Sequence, residues 1–543
     1  MKPSALLVHA TCTLLIACGG KPTPSTTTAP ATDLPPAPMP VPFEVRASAA
    51  VEARVLLPDA LTNLEWPAPP INRSVDAQRR RFTTAGRDAK QREAANLATA
   101  LWYSEPSGSD AERAAREAAR TALREVATGG GSSETVLWML TVAERSLGDL
   151  VASKSTYDEL ILRFPQSPRA WRYRAERAWL ELLEQNHPRA SEFVNGADLA
   201  AQATPSAVHY VAGWIELRRG QPTEGHALLV TAAQRWADLW SWDTIRQEAF
   251  QVAAIANAEP AYMLQIASEI VNGPPRREAG TTNKRLRTVV RNGKRTTISE
   301  ETTISYRKEW LGLELGRAYA RFGRFEAARE VLERSRGSDP ATNASIEHEL
   351  MMLAAAANQP AAVATHAEAA RDAFAKAMVD SSAGDVREQN DALMADVQRL
   401  ANEYRGFGQV TGLEDFKAAG DALGSIAEST SSPTAPLTPD IYRAAVIDTQ
   451  VAWSTPRLRA CYELPLQSQP SFAGSVSFTL APGDDGRATL SQLSPEAGDD
   501  GMASVAGCVA EVVANWRMTP VPGASATTAT IAIEFRHKLD PKE

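Results

Sequence analysis

The chain has 543 residues, 44% of them hydrophobic and 22% charged, with a formal net charge of −8. That length exceeds one ordinary core, so two or more folded units are expected, and so modest an acidity leaves no basic footprint for nucleic acid. Aromatic residues make up only 6% while alanine is abundant, a bias toward closely packed helices rather than a β-sandwich.

Residues 1–18 form an apolar leader behind a single Lys2, and Leu15-Ile16-Ala17-Cys18-Gly19 resembles the cleavage signature of bacterial lipoprotein signal peptides. The resemblance implies that Cys18 becomes the mature N-terminus and carries the lipid, palmitate included, and that Gly19 after it favours the outer membrane. The apolar stretch from Ala5 to Ala17, interrupted by His9 and Thr11, is too short to span a bilayer comfortably. The expected location is the bacterial cell envelope, lipid-anchored and facing the periplasm. In that compartment Cys461 and Cys508, the other two cysteines of the mature chain, can oxidise to a disulfide.

Residues 19–58 are expected to be a Pro-rich tether, centred on the Pro/Thr/Ala tract Lys21–Pro42, whose prolines refuse helix and sheet. At about 3.1 Å per residue in polyproline II geometry, such a tract holds a folded body several nanometres from the lipid. Residues 59–428 read as helices joined by short turns. Glu309–Thr342 places Leu315, Gly316, Tyr319, Gly323, Ala328, Leu332 and Pro340 at the offsets of a tetratricopeptide repeat. Gly316 and Ala328 are small where two helices approach, Tyr319 and Leu332 fill the gap, Gly323 turns the chain, and Pro340 begins the exit from the second helix. Glu134–Ser167 and Ser206–Asp238 resemble the same repeat more loosely, through Gly148, Tyr157, Leu160 and Pro165 and through Gly213, Gly220, Leu229 and Ala232. Degenerate helix pairs are expected over 168–204 and 344–371.

A basic insertion near 276–300 interrupts this regime. β-Branched residues flank Asn292-Gly293, the strongest short-range hairpin signal. Arg285, Arg287, Arg291, Lys294 and Arg295 collect there as a candidate contact for an anionic envelope polymer or an acidic partner, against the plainer alternative of a solvated insertion. Residues 429–438 are Ser/Pro-rich and read as a linker to a domain at 439–543. That domain is expected as helix, strand, strand, helix, strand. Val476, Phe478 and Leu480 alternate with polar residues, Gly483-Asp484-Asp485-Gly486 turns, Asp500–Trp516 is amphipathic, and Ala529, Ile531, Ile533 and Phe535 supply the apolar face of the last strand. The fold class is therefore mainly α: a tetratricopeptide-like helical solenoid followed by a small α+β domain with an antiparallel sheet.

Arg459-Ala460-Cys461-Tyr462-Glu463, Gly474-Ser475-Val476-Ser477-Phe478, Gly486-Arg487, Gly507-Cys508-Val509 and Trp516 together resemble the AgmX/PglI C-terminal domain, a TonB-C-terminal-like module of gliding bacteria. The match covers roughly the last hundred residues and departs from the pattern at Arg517-Met518-Thr519-Pro520, where an aromatic-proline pair is usual. The resemblance implies an envelope-associated binding module without catalysis, and helices lying side by side so that Cys461 meets Cys508. The alternative for these cysteines, a zinc site, lacks CxxC spacing and a nearby histidine.

No nucleophile elbow, phosphate loop or HExxH motif occurs, and Ile346-Glu347-His348-Glu349 lacks a second histidine at a helical offset. Gly129-Gly130-Gly131 lacks the Gly-Lys-Ser/Thr ending of a phosphate loop and reads as a helix terminus. No catalytic, cofactor-binding or metal-binding residue is therefore assigned, and the chain is not expected to be an enzyme. The function expected is that of a lipid-anchored envelope scaffold or adaptor, in motility, secretion or envelope assembly, binding an envelope protein or peptide segment through the repeats and the C-terminal module. Two alternatives stand beside it: a TonB-like energy transducer component, which would need a membrane-spanning helix, and a peptidoglycan-acting enzyme, which would need an acidic site.

Overall fold

The computed structural model describes residues 39–539 apart from 63–65, 69–73, 106–109, 129–130, 236–238, 273–281, 292–293, 304–307, 381–383, 429–437, 471 and 496–499. The leader with Cys18, the Lys21–Pro38 part of the tether, Gly129-Gly130, the Asn292-Gly293 pair and most of the linker lie outside the described residues. No helix among the described residues is long and apolar enough to cross a membrane.

After α1 (Val75–Thr84), helices come in consecutive pairs: α2 (Arg87–Trp102) with α3 (Asp110–Ala127), α4 (Glu134–Ser146) with α5 (Leu150–Arg163), α6 (Ala170–Leu183) with α7 (His187–Val194), and α8 (Ser206–Arg218) with α9 (Pro222–Arg235). The series continues with α10 (Leu239–Ile255) and α11 (Pro260–Asn272), α12 (Lys308–Arg321) and α13 (Phe325–Arg334), α14 (Pro340–Ala356) and α15 (Pro360–Asp380), and α16 (Gly384–Thr411) and α17 (Glu414–Ala427). A single local device repeats from α4 to α15. The residue just past the first helix of each pair is left-handed: Gly148, Gln185, Gly220, Asn257, Gly323 and Asn358. Its amide and the next one bond back to carbonyls of the last helical turn, as in Gly148 to Arg145 and Asp149 to Glu144, or Gly323 to Ala320 and Arg324 to Tyr319. This satisfies the orphan carbonyls of the helix end and reverses the chain within three residues.

The glycines expected at helix contacts are where the spacing put them. A Cβ on Gly316 would meet Leu332 at 2.6 Å, and one on Gly213 would meet the Gly225 carbonyl and Leu229 at 2.9 Å. Leu315, Tyr319, Ala328 and Leu332 are buried between the helices. Pro340 has a different role from the one expected: it opens α14, whose cap Asp339 accepts from the Thr342 amide at 3.2 Å, instead of closing α13. Proline suits that position because the first helical amides lack partners anyway.

The C-terminal elements follow the expected order: α18 (Pro439–Tyr442), a π-helical stretch (Arg443–Asp448), α19 (Thr449–Leu466), β4 (Gly474–Pro482), β5 (Ala488–Pro495), α20 (Asp500–Val513) and β6 (Thr527–Leu539). The sheet itself departs from expectation in two ways. Residues 43–55, assigned to the tether, form β1 (Phe43–Val55), and the strand order is β1-β6-β4-β5. β1 runs parallel to β6 in register from Phe43 opposite Thr527 to Val55 opposite Leu539, so the sheet is mixed, not purely antiparallel. A parallel pair needs a long crossover. Here the crossover is the whole repeat array. Val45, Val51, Ala53 and Val55 face the core while Glu44, Arg46, Glu52 and Arg54 are exposed, an alternation diluted in sequence by five Ala and Ser residues.

Two cores result. One runs from Leu56 to Leu353 through the first helix pairs; the other joins β1, the helices α14 to α17 and the entire C-terminal module. The linker expected at 429–438 therefore does not separate two independent cores. Trp453 of α19 stacks on Phe416 at 5.5 Å, meets Tyr404 edge-on at 4.7 Å, and donates its Nε1 to Glu403 at 2.7 Å. Arg321 of α12 forks onto Glu463 of α19 at 2.7 and 3.0 Å.

Candidate peptide-binding groove

Where β1 ends, Leu56-Leu57-Pro58-Asp59-Ala60-Leu61-Thr62 leaves the sheet as a strap that closes in a turn, the Thr62 amide donating to the Asp59 carbonyl at 2.8 Å. Pro58 has no amide to continue a ladder and holds Leu57 extended, so the segment cannot remain strand or become helix. Apart from that turn bond its backbone groups must find partners elsewhere, because Leu56, Pro58, Ala60 and Leu61 are buried. They find them on the first helices of successive pairs.

Trp179 of α6 donates its Nε1 to the Pro58 carbonyl at 2.7 Å. Tyr210 of α8 accepts from the Ala60 amide at 3.0 Å, and Glu248 of α10 accepts from the amides of Asp59 at 2.6 Å and Ala60 at 3.1 Å. Arg145 of α4 donates to the Leu61 carbonyl and Arg218 of α8 to that of Leu56. Gln467, just past α19, completes the set: its Oε1 accepts from the Leu56 amide at 3.0 Å, its Nε2 donates to the Arg54 carbonyl at 3.2 Å, and its own carbonyl accepts from Arg218 at 2.7 Å. Farther along, Trp66 donates to Thr99 at 3.0 Å and stacks on Trp102 at 4.3 Å, with the Arg116 guanidinium 4.8 Å above the Trp102 ring. Leu56 thus meets α8, Leu61 meets α4 and Trp66 meets α2, counter to the order of the repeats, while Asp59 and Ala60 between them reach α10.

The groove is charged and buried. Burial pushes the Glu248 carboxyl up to about 8, against the bonds from Tyr210, the Asp59 amide and Trp214 that favour its ionised form. Burial also brings Arg218 down to about 10, and its guanidinium is held by carbonyl dipoles. Beside them burial raises Glu176, but Arg172 and Arg145 outweigh it and keep that carboxylate low. Arg145 lies 4.6 Å over the Trp179 ring and donates to Tyr157 at 3.1 Å, so these two of the donors to the strap brace each other. The arrangement fixes the backbone of residues 56–62 against four helices.

The residues singled out from the sequence lie elsewhere. Cys461 and Cys508 are disulfide-bonded across α19 and α20, with Cα atoms 5.5 Å apart. The basic insertion is a two-stranded hairpin, β2 (Thr282–Arg291) and β3 (Lys294–Thr303). The register sets Arg285 opposite Glu300, Arg287 opposite Ile298, Arg291 opposite Lys294 and Arg295 opposite Val290. Glu347 accepts from His366 at 2.7 Å and His348 meets Asp396 at 3.0 Å, which accounts for the Glu-His-Glu run. A cavity of about 900 Å³ opens on the outer face of the sheet between Ser48, Ala50, Ser475, Ala532, Glu534 and His537. None of the groove residues was marked by a motif. Comparison with protein-family models, with curated proteins and with solved structures finds no match for this chain.

Proposed function

We propose that this chain is a lipid-anchored scaffold or adaptor of the bacterial cell envelope, which binds protein partners through its helical repeats and its C-terminal module. The observation that carries this reading is the groove: side chains from α4, α6, α8 and α10 hold residues 56–62 chiefly by their backbone, the kind of contact by which a repeat array takes a peptide. The lipoprotein-like leader supports the anchor, the resemblance to the AgmX/PglI C-terminal domain supports an envelope role for the module, and a disulfide suits an oxidising compartment. The tether feeds straight into β1 and the strap, so an anchor at Cys18 would be joined to both cores at once. The basic hairpin is a second contact, for an acidic partner or anionic polymer.

Metabolic labelling with a fatty acid tests the anchor. Wild-type protein is expected to carry label and to sediment with membranes, and Cys18→Ser is expected to lose both, because a hydroxyl does not replace the thiol in lipid transfer. Label retained by Cys18→Ser rejects the anchor. Cross-linking the wild type in membranes, followed by mass spectrometry, should recover an envelope protein that is lost when Arg291, Lys294 and Arg295 are reversed to Glu or when the groove is blocked.

A further inference from the structure

β1 and β5 are the two edges of the C-terminal sheet, and only one of them is blunted. An edge strand presents unpaired amides and carbonyls to any strand that comes alongside, and proteins spoil such edges with bulges, prolines and brevity. β5 has 8 residues, shifts register against β4 between Thr479 and Leu480, and ends in Pro495. β1 has 13 residues, no proline and an unbroken register against β6.

The open side of β1 can be identified residue by residue. The Phe43 amide donates to the Ala526 carbonyl next to β6, so the odd-numbered residues turn their backbone toward β6. The Arg54 carbonyl and the Leu56 amide meet Gln467 on the opposite side, so the even-numbered residues turn theirs away. Gln467 closes the edge at Arg54. Beyond it, the outward backbone groups of Arg46, Ser48, Ala50 and Glu52 have no hydrogen-bond partner among the described residues. The side chains of these residues, with those of Glu44 and Arg54, are exposed on the outer face.

The charges along that edge run Glu44, Arg46, Glu52, Arg54, with Ser48 and Ala50 between them. Laid antiparallel against a second copy with Ala49 opposite Ala49, they place Glu44 opposite Arg54 and Arg46 opposite Glu52 on both sides of the axis. In that register the even-numbered residues face one another backbone to backbone, so Arg46 with Glu52 and Ser48 with Ala50 are hydrogen-bonded pairs. On the inner face Val45 meets Ala53 and Ala47 meets Val51, large against small. Neighbouring registers that keep the backbones facing fail on charge. An axis at residue 48 sets Glu44 against Glu52, and one at residue 50 sets Arg46 against Arg54. Glu52 also accepts from Lys538 of β6 through its Oε2 at 2.6 Å, which leaves Oε1 for a guanidinium across the edge.

We propose that the β1 edge is a homodimer contact: a second copy of this chain docks its own β1 antiparallel, centred on Ala49, and joins two four-stranded sheets into one. The contact goes beyond the adaptor reading and needs neither the lipid nor a bound partner. Its consequence for a scaffold is bivalence, since two repeat arrays and two basic hairpins on one particle raise the avidity for a paired or repetitive partner.

Sedimentation velocity on the mature chain from Gly19 onward, without lipid, tests it. The wild type is expected to pass from one chain to two between about 1 and 100 μM, the range of a small interface. Arg46→Glu and Glu52→Arg, each alone, set like charges opposite each other and are expected to weaken the dimer at least tenfold. Mixed in equal amounts, the two variants are expected to pair with each other at close to wild-type strength, because one chain's change complements the other's at every position. Ala50→Pro removes an outward amide without touching a bond to β6, and is expected to abolish the dimer while melting near the wild-type temperature. In the wild type, hydrogen exchange at the Ser48 and Ala50 amides is expected to slow at least tenfold from the dilute to the concentrated end. A wild type that remains a single chain throughout overturns the proposal, and protection of Ser48 and Ala50 at every concentration would then show that a segment of the same chain covers the edge. A dimer that survives Ala50→Pro, or charge variants that fold but do not recover on mixing, places the contact elsewhere and overturns it as well. If either charge variant fails to give a cooperative melt, Ala50→Pro and the wild-type exchange decide.

Discussion

Glu248 shows how a single buried group can hold a segment of backbone in place and titrate far from its ordinary range. Its Oε1 takes two strap amides and its Oε2 takes the Trp214 indole at 3.1 Å. Those bonds favour the carboxylate, but complete burial wins and holds the acid up to about 8. The folded chain therefore keeps a proton that the unfolded chain releases above its ordinary value of 4.5. The sign follows: Glu248's contribution is fully present below that value and is lost progressively as pH rises from about 4.5 to about 8. Glu248→Gln keeps an acceptor oxygen for the Asp59 and Ala60 amides and does not titrate. Its melting temperature relative to wild type is thus expected to climb between pH 5 and pH 8 and then level off, with an advantage on the order of a few kcal/mol at the upper end. Parallel melts across that range, followed by circular dichroism, measure it; a constant difference would show that Glu248 is ionised throughout.

At the scale of helices and turns, one position carries most of the fold's local logic. A left-handed residue costs roughly 1 kcal/mol or more for an ordinary side chain, little for glycine, and an intermediate amount for asparagine. Gly148, Gly220 and Gly323 avoid the cost, Asn257 and Asn358 soften it, and Gln185 bears it in full at φ 60°. Gln185 also buries both amide atoms without a partner among the described residues. Gln185→Gly removes both penalties, and the protein is expected to gain about 1 kcal/mol, read as a higher urea midpoint with an unchanged slope. These turns also explain what was legible in the sequence. The pairs ending in glycine announced themselves, and so did the Asn-Gly hairpin and the alternating strands β4 and β6. The pairs turning on Gln185 and Asn257 were blurred because their turns carry no glycine. β1 was hidden behind prolines and diluted by small residues, and the groove was invisible for a different reason. Gln467 meets Leu56 across 411 positions of sequence, and residues that address a backbone need no partner of complementary type to betray them.

At the scale of the whole molecule, the first strand and the last lie side by side, and everything between them is a crossover. β1 belongs to the second core and the strap that continues it to the first, so the junction at Val55-Leu56 ties the two together, with Arg218 and Gln467 as the clasp. The C-terminal module is not a free appendage either, because Trp453, Phe416 and Tyr404 share one aromatic cluster with α16 and α17. The disulfide must be judged in that setting. Closing a loop with a sequence separation of 47 restricts the unfolded chain enough to contribute roughly 4 kcal/mol in the chain-entropy account. Were the module an independent domain, as the Ser/Pro-rich linker suggests, losing the bond would weaken β4, β5, β6 and α20 and leave the repeats alone. With a shared core the loss spreads. Cys461→Ala is expected to cost hydrogen-exchange protection in α16 and α17 together with β6, by similar factors, while α4 to α9, packed in the other core, keep theirs. Protection lost only beyond residue 439 would restore the independent domain, whereas loss reaching α4 would make the clasp at Arg218 strong enough to merge the two cores into a single cooperative unit.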